Sequence, residues 1–176
     1  MKTPDRCALQ HRPCLFPVLI LMQVFDFPLA EARLELALLQ AEANVTCSAD
    51  FYLWLRGSGL PAEVSARLFS LAECSCQVEG RAVALGKIVA IKLAEFVRAH
   101  PDLPGFTALV AAVSCLVRRL PVAAALLQPL MQTLADATAG HASPAGEATP
   151  ELLAGRFFQP LIDLLNTLCP HPVASV

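Results

Sequence analysis

The chain has 176 residues, 56% of them hydrophobic and 16% charged, with a net charge of −2 and a mean hydropathy of +0.56. Soluble domains ordinarily carry roughly 45–50% apolar and about 25% charged residues, so this composition favours a membrane or a permanent partner over a free monomer. Near-neutral charge excludes nucleic acid as the main ligand, because binding phosphates requires a basic face.

Lysine occurs only at Lys2, Lys87 and Lys92, and asparagine only at Asn44 and Asn166. With abundant Ala, Leu and Pro, this bias resembles coding in a GC-rich bacterial, phage or plasmid genome. The cysteines are Cys7, Cys14, Cys47, Cys74, Cys76, Cys115 and Cys169. Their odd number and irregular spacing read as reduced, small apolar residues and not as a disulfide framework.

Residues 1–28 form an apolar amino-terminal segment. Lys2, Arg6 and Arg12 precede a greasy run, and Ala30-Glu31-Ala32 has the small-x-small form of a signal cleavage site. An anchor is a second reading, although the run falls short of the roughly 20 residues of a span. A third is a translation start at Met22. Residues 29–45 are rich in helix formers. Leu34, Leu38, Ala41 and Val45 recur at helical spacing, which predicts that they face the core with Glu31, Glu35 and Glu42 towards water.

Residues 48–55 predict a short helix bearing Phe51, Tyr52 and Trp54, suited either to an interface or to the rim of a core. Residues 61–76 predict a helix with Val64, Leu68 and Leu71 inside. Cys74 and Cys76 fall about 200° apart on such a helix, a poor arrangement for one metal ion. Residues 78–100 predict a long amphipathic helix whose apolar face is Ala82, Val83, Leu85, Val89, Ala90, Leu93, Phe96 and Val97. Ile88 and Ile91 interrupt its charged face, so a second contact is expected there, with another helix or with lipid.

The most apolar stretch is 103–135. Two uncharged arms, each about 22 Å long as a helix, flank Arg118-Arg119. One span through both arms would put two arginines at mid-bilayer, a costly place for them. A helical hairpin turning at Arg118, Arg119 and Pro121 fits better, inserted in a membrane or buried in a core. Residues 137–149 read as a flexible linker. Residues 150–176 form a carboxy-terminal amphipathic helix and tail, with Leu153, Phe157, Leu161, Leu164 and Leu168 on one face.

No phosphate-binding loop, HExxH, GxSxG or SxxK pattern occurs. The histidines are far apart in sequence, no cofactor is implied, and no enzymatic activity is expected. The expected fold is all-α: five to six helices, as a bundle or as a membrane-associated hairpin with flanking amphipathic helices, and residues 29–136 as the helical core. The first functional expectation is a small membrane-associated accessory protein, at a bacterial inner membrane, acting on lipid or a protein partner. The second is a soluble, cytoplasmic helical adaptor or regulator using its apolar hairpin, and the third a pore-former or toxin. Self-association is compatible with each. The candidate contact residues are Ile88, Ile91, Phe106, Leu109, Val110, Val113, Leu116, Leu126, Leu127 and Leu130.

Overall fold

A computed structural model describes residues 16–46, 48–138 and 149–169. The fold is all-α, with 82% of the described residues helical. In chain order the described elements are α1 (Phe16–Val45), α2 (Ser48–Gly57), α3 (Ala62–Ala72), β1 (Cys76–Val78), β2 (Arg81–Val83), α4 (Leu85–Ala99), α5 (Gly105–Arg119), α6 (Pro121–Thr138) and α7 (Thr149–Leu168). Most of the expected linker, the tail beyond 169, and His11, His141, His171, Cys7, Cys14 and Cys47 lie outside the described residues.

Proline marks the start of three of the described helices. Pro61 and Pro104 immediately precede α3 and α5 with φ near −54° and −55°, and Pro121 is the first residue of α6. Each supplies a preset φ where a helix does not yet need the N–H. Three prolines lie inside helices instead: Pro28 in α1, Pro129 in α6 and Pro160 in α7. A helix was expected to begin after Pro28, but α1 runs through it, so its backbone incorporates residues assigned to the amino-terminal segment.

Helix α5 is the centre of the bundle. It packs on α4, α6 and α7, while α3 crosses α4 and α6, and α1 lies across α4 and α7. Ala108, Ala112, Leu109, Val113 and Leu116 of α5 are all fully buried. Its alanines let neighbouring helices approach closely, and its larger residues fill the space between them. On α7, Phe158 is buried and Phe157 half-buried, and both meet Phe96 of α4 with ring centroids 5.5 Å and 5.3 Å away. Helix α7 is thereby folded back onto the body.

Two local readings are corrected. The long helix expected over 78–100 begins only at Leu85, and its first residues form β2 of a small antiparallel hairpin with β1. Val78 and Val83, one on each strand, are buried, whereas Ala82, placed on the expected apolar face, is exposed. The two turn residues, Glu79 (φ 49°) and Gly80 (φ 76°), both have the positive φ that a two-residue hairpin turn requires. The second correction concerns α1. Among residues 28–45 the buried ones are Ala32, Leu36 and Ala43, with Leu29 and Leu39 packed beside them. The residues expected inside lie on the opposite face.

Candidate interaction surface

Helix α1 is apolar on two opposite sides. Its inner stripe lies over α4, where Leu39 and Ala43 share a crevice with Ile88 and Ile91. That contact explains why two isoleucines interrupt the charged face of α4. Its outer stripe carries Leu34, Leu38 and Val45, which are 63%, 62% and 85% exposed, with Ala30, Ala37 and Ala41 also exposed beside them. Isolated exposed leucines are ordinary. An uninterrupted apolar strip opposite a buried apolar face is not, because a helix apolar all round is normally covered all round.

The edges of this strip differ. Glu31, Glu35 and Glu42 line one edge, and all three are exposed; Glu42 has a long contact of 3.9 Å to Lys92. Along the other edge Arg33 donates from Nε and Nη2 to the two carboxylate oxygens of Glu79, both at 2.8 Å. The side-chain oxygen of Gln40 accepts a bond from the N–H of Ala84, the residue just before α4. Both clamps fix α1 to the β-hairpin and to the head of α4. The guanidinium hydrogen bonds hold the Glu79 carboxyl below its ordinary range.

The residues expected to contact lipid or a partner are mostly consumed by the core. Ile88, Leu109, Val113, Leu116, Leu127 and Leu130 are buried, and Ile91, Phe106, Val110 and Leu126 are half-buried and packed against the core. In this arrangement the six buried side chains present no surface to lipid or partner. The turn residues are placed differently. Arg118 and Arg119 end α5 and are exposed, Leu120 is buried, and Pro121 opens α6. Arg118 Nη2 donates to Glu151 at 2.7 Å, tying the turn to the start of α7. Arg119 and Arg156 border an open depression of about 510 Å³ with Leu152 and Gln159.

Among the described residues, no helix is long and apolar enough to cross a membrane, and no three His, Cys, Asp or Glu side chains are grouped to hold a metal ion. The sulfurs of Cys76 and Cys169 are electrostatic neighbours. Burial pushes both thiols up, with a smaller contribution from Cys169 at Cys76 and from Glu79 at Cys169. Cys74 instead contacts the Ser70 carbonyl at 3.4 Å. The outer strip of α1 was visible in the sequence as a helical repeat, but the repeat does not say which of two apolar faces the body will take. No protein-family model matches the chain, and no similar curated protein or solved structure is found.

Proposed function

We propose that this protein is a non-catalytic helical interaction module that docks a protein partner on the outer face of α1. The observation that carries this reading is the exposure of Leu34, Leu38 and Val45 along one line of a helix whose opposite face is already buried. Burying a leucine fully is favourable by roughly 1.5–3 kcal/mol, so a partner that covers this line has a substantial driving force. The described interior also contains no buried polar or charged side chain, which supports a packing role for the core over a chemical one.

The adaptor reading thus keeps its class and changes its surface, from the hairpin to α1. Lipid contact through the hairpin is the weaker alternative, because its central side chains would first have to leave the core. Photo-crosslinking tests the proposal. A benzophenone side chain replacing Leu38 or Val45 in the native cell should give protein adducts, while one replacing the exposed Gln132 of α6 should not. Adducts only with lipid, or protein adducts at Gln132 and none on α1, would sink it.

A further inference from the structure

The strip on α1 has a shape and a charged border that specify more than stickiness. On a helical projection at 100° per residue, Ala30, Ala37 and Ala41 form one lane and Leu34, Leu38 and Val45 the adjacent lane. Together they make an apolar band about 100° wide and about 16 Å long between Leu34 and Val45 at 1.5 Å per residue. No charged residue falls within it. A lane of small side chains beside a ridge of large ones is the relief into which another helix packs.

The borders decide between occupants. Glu31, Glu35 and Glu42 run along the edge next to the large lane, whereas the opposite edge offers Asn44, Gln40 and an Arg33 already clamped to Glu79. In an antiparallel pair of two copies related by a twofold axis, like edges meet, so the three glutamates of one chain would lie against the three of the other. A parallel pair would place them against an edge with no lysine and with its arginine engaged. An anionic bilayer would meet the same row of carboxylates. Each of these occupants leaves the acidic border repelled or unmatched.

Resting on the reading of α1 as the docking face, we infer that its occupant is an amphipathic helix of a different protein, with lysine or arginine along the edge that lies over Glu31, Glu35 and Glu42. Its apolar ridge repeats at i, i+4, i+7 and i+11 and sits in the alanine lane. The basic edge fixes the direction in which it lies.

Two designed helical peptides of roughly 20 residues, long enough to hold a helix when stapled, separate the parts of this inference. Both carry leucines at that repeat; one has a lysine edge and the other a glutamate edge. Binding to the full chain is read by fluorescence anisotropy, and the site by loss of binding in the Leu38→Ser variant. The lysine-edged peptide should bind at least about tenfold more tightly at low salt, and the gap should narrow as salt rises. A double variant, Glu31→Lys with Glu35→Lys, which leaves the Glu42–Lys92 contact in place, should reverse the preference while keeping the far-UV circular dichroism and melting temperature. Equal binding of both peptides, lost in Leu38→Ser, would leave the docking face standing and overturn the basic partner. Binding of neither, or binding indifferent to Leu38→Ser, would overturn the docking face itself. A stable dimer of the chain alone, broken by Leu38→Ser, would assign the strip to a second copy.

Discussion

At the scale of single residues, two glycines and one thiol carry consequences that differ in kind. Gly80 sits at φ 76°, where an L side chain is strained. No atom would touch an added Cβ there, so Gly80→Ala tests backbone conformation alone. It should cost roughly 1–2 kcal/mol, read as a shift in the urea midpoint with unchanged slope. Gly86 is the opposite case. Its conformation is ordinary, but an added Cβ would drive into the Leu71 carbonyl and the Cys74 backbone and side chain. The N–H of Gly86 donates to that Cys74 carbonyl at 3.0 Å, so the crossing of α3 and α4 cannot widen without losing the bond. Gly86→Ala should cost about 1–3 kcal/mol or more, although it adds only one methyl and replaces a poor helix former with a good one. At Cys76 the thiol is raised above its ordinary value of 9.0, mainly by burial. The folded state therefore holds the thiol proton more tightly than the unfolded chain. The associated stability is complete below that ordinary value and is lost as pH rises through the higher folded one. As pH rises above about 9 the melting temperature should fall more steeply in the parent than in Cys76→Ala. Equal slopes would show that this thiol is not the group responsible.

At the scale of elements, α7 is an integral wall of the bundle. Phe158 is buried against Phe96, and Phe157 stands edge-on to both rings, with centroids 5.0 Å from Phe158 and 5.3 Å from Phe96. His100 closes the group, its ring centroid 4.4 Å from that of Phe96. Phe158→Ala should destabilise by about 3–5 kcal/mol, and amide exchange should accelerate in α5 as well as in α7. Acceleration confined to α7 would mean that this helix opens independently. The elements most legible in the sequence were those bounded by proline: the turn at Arg118–Pro121, where α5 ends and α6 starts, and the start of α7. Long apolar runs with rigid punctuation leave few alternatives. The β-hairpin was hidden because each strand has three residues and its turn is Glu79-Gly80, without the Asn or Asp that usually marks such a reversal. Its Glu79 tolerates a positive φ while both carboxylate oxygens are held by Arg33, a contact separated by 46 residues that no local pattern announces. Six of the ten candidate contact residues are buried for another reason. A hairpin buried in protein and one buried in lipid need the same uncharged arms, so composition alone does not say which medium surrounds Leu109, Leu116 or Leu127.

At the scale of the whole molecule, part of the unusual apolar content stays on the surface. Much of it fills the core around α5, and a conspicuous remainder lies along α1, with Tyr52 and Leu53 also exposed on α2. Helix α1 offers the body two alternatives. Its inner stripe is built from Ala32, Leu36, Leu39 and Ala43, and the alanines allow close approach to α4. The outer stripe has bulkier residues beside its alanine lane. If that stripe is truly external to the fold, Leu34→Gln, Leu38→Gln and Val45→Gln combined should leave the chain folded. Glutamine is about as good a helix former as leucine and better than valine, and surface substitutions usually stay within about 0.5 kcal/mol each. For a chain of this size the combined change in melting temperature should therefore not exceed about 6 °C. Leu36→Ala, two residues from Leu34 but on the inner stripe, should cost about 2–5 kcal/mol. A triple variant as damaged as Leu36→Ala would return the outer stripe to the folding core and remove the basis for a docking face. A triple variant that melts like the parent yet loses the crosslinked partner would separate what α1 does for the fold from what it presents to another protein.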